Sequence, residues 1–140
     1  MYEEIEKELH ETIQEELKVK NKTRELTREF HKQQQDHLRP LIGMCFIGSN
    51  ISGQLFRIIG VPEETETKTG SVFNPYQLPV LAITTNEESP IEFDTIYSKA
   101  AFSEDPVKQI RREYEEISNT VFEQTLDEIC RQLKQIGRKS

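Results

Sequence analysis

The stretch SEDPVKQIRREYEEISNTVFEQTLDEICRQLKQIG, residues 103–137, decides how the rest of the chain is read. Ser103 followed by Glu104, Asp105 and Pro106 is a helix start: a hydroxyl that can cap, acids facing the positive end of the dipole, and a proline whose missing N–H costs little in a first turn. Gly137, with Lys134, Arg138 and Lys139 around it, marks the stop. Between these signals Val107, Ile110, Tyr114, Ile117, Val121, Phe122, Leu126, Ile129, Cys130, Leu133 and Ile136 recur every three or four positions, which predicts one long amphipathic helix. On a helical wheel the residues from Val107 to Val121 share a face, whereas those from Phe122 to Ile136 lie about 90° further round. One face is therefore expected to be buried in the first half and a neighbouring face in the second. A single apolar stripe does not offset the entropy of ordering so long a helix, so something must lie along most of its length.

Residues 2–38 contain no Gly or Pro and are rich in Glu, Lys, Gln and Leu, predicting a second long helix. Its stripe is sparser, with Tyr2, Ile5, Leu9, Ile13 and Leu17 followed by Val19, Leu26, Phe30 and Leu38, and it too swings round the wheel, near Asn21. Residues 1–17 hold seven Glu against one Lys, net −6, while residues 18–32 hold six Lys or Arg against Glu25 and Glu29, net +4. The C-terminal helix runs the other way: six acids and no base from Glu113 to Glu128, then Arg131, Lys134, Arg138 and Lys139. Opposite signs meet if the terminal helices lie antiparallel, within one chain or as an antiparallel homodimer through residues 1–32. Exposed pairs at ~0–1 kcal/mol each select orientation more than they stabilise, and the same charges also suit each helix dipole without pairing. Ile5, Leu9, Ile13 and Leu17, with Leu126, Ile129 and Leu133, are the candidate oligomer-forming side chains.

Between the helices the period changes. Arg39-Pro40 closes the first helix, because the residue before a proline is pushed out of the helical region. Met44-Cys45-Phe46-Ile47 and Leu55-Phe56-Arg57-Ile58-Ile59 read as two strands joined by a turn from Gly48 to Gly53. Residues 62–70, with little to bury, read as a mobile loop. Val80-Leu81-Ala82-Ile83 follows Pro75 and Pro79, which places that strand at a sheet edge. After the turn at Asn86-Glu87-Glu88-Ser89-Pro90, Ile91, Phe93, Thr95 and Tyr97 alternate with Glu92, Asp94 and Ile96 as a half-buried strand. The expected fold is α+β in a single domain, residues 1–140: an N-terminal helix (1–38), an antiparallel meander of about four strands (39–102) and a C-terminal helix (103–137). This helix–meander–helix layout in an acidic chain is similar to that of prefoldin-type chaperone subunits and, more loosely, of acidic dimeric secretion chaperones. The resemblance is one of layout and implies binding of a protein client.

Composition narrows the function. The chain is 34% hydrophobic and 31% charged, a ratio suited to long exposed helices, and its net charge of −7 argues against a general phosphate-binding surface. No long apolar run and no basic-then-apolar leader is present, so neither a membrane span nor a signal peptide is expected. Cys45 and Cys130 read as buried free thiols in a reducing compartment, which makes the sequons at Asn21-Lys22-Thr23 and Asn50-Ile51-Ser52 chance matches.

Signatures of chemistry are missing. Gly43-Met44-Cys45-Phe46-Ile47-Gly48-Ser49 imitates the spacing of a phosphate loop, but Ser49-Asn50 stands where its lysine should be. His31 and His37 point in opposed directions on a helix, and His10 reads as a solvated surface residue. Neither cysteine has a histidine or a second cysteine at a catalytic spacing. Glu92 and Asp94 share a strand face and read as its solvated side, not as a carboxylate pair. The basic residues 18–32 lack interleaved aromatics apart from Phe30, so pairing with acids is favoured over nucleic acid. Residues 73–79 stand out: Phe73, Pro75, Tyr76 and Leu78 set apolar side chains in a loop stiffened by two prolines, a candidate partner-binding segment. The reading is a non-enzymatic, cytoplasmic protein-interaction module, chaperone- or adaptor-like, with no cofactor or metal and a protein partner, assembling as a dimer or other homo-oligomer through its long helices. The alternative is a nucleic-acid-associated regulator using the Lys18 to Lys32 stripe.

Overall fold

Local chemistry sets the element boundaries. The computed structural model describes residues 2–48, 54–84 and 88–139, with side chains as far as 135. Residues 49–53, which hold most of the first expected turn, the Asn50-Ile51-Ser52 sequon and the end of the phosphate-loop lookalike, lie outside the described residues, as do residues 85–87, which include the first two positions of the second turn. The chain divides into two compact units, Met1–Gln34 and Gln35–Ser140. Helix α1 (Tyr2–Leu38) supplies the whole of the first unit and gives way at Arg39-Pro40 to a 3-10 turn, Arg39–Leu41.

The second unit is built on an antiparallel sheet of five strands in the order β6-β5-β2-β1-β7, with a separate hairpin of β3 and β4. The strands are β1 (Cys45–Ile47), β2 (Leu55–Ile58), β3 (Thr65–Thr67), β4 (Gly70–Val72), β5 (Gln77–Ile83), β6 (Ile91–Tyr97) and β7 (Glu115–Ile117). Helix α2 (Pro106–Glu113) precedes β7 and helix α3 (Asn119–Lys139) follows it. The fold is α+β, with a long N-terminal helix, a C-terminal helix and an antiparallel sheet between them in sequence.

Pairing of Phe46 with Phe56 and of Phe56 with Ala82 puts these side chains on one face of the sheet, along with Ile58 and Val80. That face is buried beneath Leu38, Leu41, Ala100 and Ile110, with Val107 and Tyr114 packed against them. The opposite face carries Cys45, Leu55, Leu81 and Ile83 and is covered by Phe122, Leu126 and Ile129 of α3. Two thin cores thus sandwich one sheet.

The expected continuous helix over residues 103–137 is interrupted by β7. Tyr114 has extended backbone, φ −138° and ψ 151°, and Ile117 pairs with Cys45 at the sheet edge. The 90° swing of the apolar stripe is the sequence trace of this break: α2 serves one face of the sheet and α3 the other, and the chain crosses between them at the edge. The caps move accordingly. Asp105, rather than Ser103, accepts from Lys108 N at 3.0 Å to start α2, and Ser118 Oγ accepts from Val121 N at 3.2 Å to start α3. At the other end, α3 runs past Gly137 to Lys139.

Three strand expectations change. Residues 62–70 contribute to a hairpin instead of a loop: Thr65, Glu66 and Thr67 pair with Val72, Ser71 and Gly70, helped by β-branched threonines and by Gly70 at φ +131°. Strand β5 is interior, flanked by β6 along its length and by β2 from Val80 to Ile83. Pro79 is accommodated because it sits where β2 ends: Ile59 N donates to Pro79 O at 3.1 Å, and Pro79 has no N–H to return the bond. Strand β6 is the edge, and its faces are reversed from expectation. Ile96, opposite Leu78, packs on the first core, while Phe93 and Tyr97 are exposed. Periodicity reports that a strand has two faces, but α3 does not reach far enough to cover the second one at β6.

Candidate interaction site

Helix α1 carries a long row of exposed apolar side chains. Every side chain of residues 2–30 is exposed, so Ile5 (69%), Leu9 (60%), Ile13 (44%) and Leu17 (47%) face solvent, as do Tyr2, Val19, Leu26 and Phe30. A stripe of this length is what amphipathic helices bury, and its exposure is the feature of the chain most in need of a partner. Thr12, Thr23 and Thr27 donate their hydroxyls to the carbonyls four residues back, at 2.8, 2.9 and 2.7 Å. Their methyl groups, not their polar atoms, are left to face a neighbour.

The other candidate oligomer residues are divided. Leu126 and Ile129 are half-buried against Cys45, Ile83 and Phe122, so they belong to the second core. Leu133 is exposed, beyond the sheet's cover.

Residues 73–79 form the entry to β5. Asn74 Oδ1 accepts from Tyr76 N at 3.0 Å and Asn74 O from Gln77 N at 3.3 Å, which turns the chain into the strand. Leu78 is then fully buried in the first core and is unavailable to a partner. Phe73 and Pro75 are half-buried. Tyr76 stacks on Tyr97 at 5.3 Å with parallel rings and meets Phe102 at 5.0 Å. The aromatic surface at this end of the sheet is therefore Tyr76, Tyr97 and Phe102, and Phe93, further along β6, is exposed on the same face as Tyr97. Tyr97, Phe93 and Phe102 went unread in the sequence because the alternation of β6 suggested burial for the first two and Phe102 stood alone beside a helix start.

One polar cluster ties the sheet to α3. Arg57 reaches Glu123 Oε1 at 2.6 Å, holds its guanidinium 4.5 Å over the Phe122 ring and donates through Nε to Cys45 Sγ at 3.4 Å. Cys45 Sγ in turn donates to Asn119 Oδ1 at 3.0 Å. The Cys45 bond, then the Glu123 bond and charge, hold the Arg57 guanidinium above its ordinary value against the opposing effect of burial. Cys45 is 1% exposed, so this arrangement works as a clamp and offers no accessible nucleophile. Cys130, by contrast with its expected burial, is exposed, and both thiols are free.

A second network ties the end of α2 to the end of β6. Glu113 accepts from Ser98 Oγ at 2.6 Å and Lys99 N at 3.0 Å, and Tyr114 OH donates to Tyr97 O at 2.7 Å. Burial, then the Glu113 charge, raises the Tyr114 hydroxyl above the usual tyrosine value. His37 Nε2 bonds Ser103 O, a structural tie. Glu92 and Asp94 are exposed on β6.

Two open cavities accompany these features. One of about 490 Å³ lies between the start of β5 and the β3–β4 hairpin, lined by Ile59, Val61, Thr65, Val72 and Gln77. Another of about 410 Å³ lies beside Met44, Cys45 and Asn119. Among the described residues no group of His, Cys, Asp and Glu is arranged to hold a metal ion, and no helix is long and apolar enough to cross a membrane. No protein-family model matches the chain, and neither a curated protein nor a solved structure matches it significantly, so the prefoldin-like layout rests on element order alone.

Proposed function

We propose that the protein is a non-enzymatic interaction module of the cytoplasm, chaperone- or adaptor-like, that assembles through α1. The exposed stripe of α1 carries this reading: leaving that many large apolar side chains in water is unfavourable by ~1.5–3 kcal/mol for each one that a partner could bury. Two free thiols, one of them exposed, suit a reducing compartment. The aromatic group of Tyr76, Tyr97 and Phe102, with Phe93, is the surface offered to a client.

Light scattering coupled to size exclusion, at low and high salt, tests the reading. An oligomer that becomes a monomer in Leu9→Asp with Leu26→Asp is expected. A strict monomer over a wide concentration range, with no co-purifying protein, would overturn it. The competing reading uses the exposed bases between Lys18 and Lys32. It gains if the chain shifts labelled DNA or RNA in a salt-sensitive way and Lys20→Glu with Arg24→Glu abolishes the shift.

A further inference from the structure

We infer that α1 pairs with α1 of a second copy of this chain as an antiparallel coiled coil whose two-fold axis passes between Leu17 and Lys18. The inference rests on the assembly reading above and specifies its partner, orientation and register.

The first observation is the period. On an ideal helix the apolar stripe of residues 2–30 swings round the axis, and a strict seven-residue repeat drifts by about 20° per heptad in the same way. Counted in heptads, Tyr2, Leu9, Glu16, Thr23 and Phe30 occupy one repeating position and Ile5, Thr12, Val19, Leu26 and Gln33 the other, so six of the eight large apolar residues of the stripe line one seam. Ile13 flanks this seam and Leu17 lies on the outer side of the helix; the two are the least exposed of the stripe. The pattern is that of a supercoiled pair, not of a helix lying on a sheet.

The second observation is symmetry. In an antiparallel pair each residue of the first kind faces one of the second. Ile5 then meets Phe30, Leu9 meets Leu26, and Thr12 meets Thr23. Glu16 with Val19 and Tyr2 with Gln33 complete the series, and all five pairings share one midpoint, between Leu17 and Lys18. Bulky apolar residues oppose one another in the Ile5–Phe30 and Leu9–Leu26 layers, the two threonines form a narrow layer, and Val19 and Tyr2 face the polar Glu16 and Gln33. Their hydroxyls are already bonded to their own helix carbonyls, so burying that layer strands no donor.

The third observation is charge, which is independent of the apolar pattern. The sign changes at the same midpoint, from net −6 over residues 1–17 to net +4 over residues 18–32. A second copy laid antiparallel about that point sets the acidic block of residues 1–17 against the basic block of residues 18–32, with Glu6 opposite Glu29 and Lys7 opposite Arg28 as its like-charge exceptions, whereas a parallel copy sets like block against like. Another copy of this segment supplies the reversed pattern at matching length, and α3 does not, because it commits Phe122, Leu126 and Ile129 to the sheet. Glu16 is the one charge in the seam. Next to the axis it disfavours shifted registers, as a lone polar seam residue does in other coiled coils, at some cost in affinity.

Spin labels attached one at a time to the full chain, through a noncanonical side chain so that Cys45 and Cys130 stay unlabelled, test the register. Glu4, Glu11, Lys18 and Glu25 occupy the same heptad position away from the seam. At ~1.5 Å rise per residue the axial offset between copies is expected to be about 40 Å for Glu4, about 20 Å for both Glu11 and Glu25, and about 2 Å for Lys18. Lys18 should therefore give the shortest distance, Glu11 and Glu25 nearly equal ones, and Glu4 one longer than Lys18 by more than about 20 Å. Equal distances at all four positions mean a parallel pair, and unequal distances at Glu11 and Glu25 mean another register; each overturns the inference while leaving assembly intact. A dimer by light scattering without measurable coupling places the interface elsewhere and overturns it too. A monomer by light scattering overturns the assembly reading itself.

Discussion

Tyr114 shows how one residue can be read correctly as apolar and wrongly as helical. Its ring stands edge-on to Phe56 at 5.1 Å, and its hydroxyl bonds Tyr97 O, so extended backbone at this position serves both core and sheet edge. Because burial and the Glu113 charge raise its folded value above the ordinary 10.0, the stabilisation it contributes is complete below about pH 10 and is lost as pH rises through the higher folded value. Alkaline unfolding followed by circular dichroism should therefore lose part of its steepness above pH 10 in Tyr114→Phe, and an unchanged profile would show that the hydroxyl is not shielded. Arg57 was visible in the sequence only as a charge inside an apolar run. That charge sits beneath α3, and its partners Cys45, Phe122 and Glu123 come from distant segments, which no local pattern records.

At the scale of elements, the informative error is the C-terminal helix. Ser118-Asn119-Thr120 is a run of poor helix formers led by a good cap, and it marks the start of α3 in a stretch whose apolar spacing argued for continuity. Ser118→Ala should lower stability by about 1 kcal/mol in urea denaturation, through loss of its bond from Val121 N. A change smaller than a few tenths would mean that β7 and not the cap defines the break. Strand β6 gives a paired test of face assignment. Phe93→Ala, at 81% exposure, should leave stability within about 0.5 kcal/mol, whereas Ile96→Ala, packed on the first core, should cost about 1–3 kcal/mol. The reverse order would restore the alternation that the sequence suggested. The edge itself bears Glu92 and Asp94, charges of the kind that keep exposed edges from pairing indiscriminately.

For the molecule as a whole, the two units bury their apolar surface by different means. The second closes two cores around its own sheet, and the first is a helix whose stripe is exposed along residues 2–30. Dilution should therefore lower the helical signal in far-ultraviolet circular dichroism at the concentration where light scattering reports dissociation. The near-ultraviolet signal of the packed tyrosines in the second unit should persist. Coincident loss of both would mean that assembly supports the whole fold.

The sequence by itself determined the long N-terminal helix and its end at Pro40, the strand character of the central region, and the apolar stripe and charge reversal of α1. These are properties of neighbouring residues: period, capping chemistry and the fixed φ of proline act over a few positions and are written locally. Only the tertiary structure decided that the C-terminal stripe is split between two faces of one sheet, that β5 is interior despite Pro79, that Leu78 belongs to the core, and that Phe93 is left outside. Each depends on how far a distant element reaches over a surface, and burial is settled by that coverage, which the order of residues along a strand does not specify.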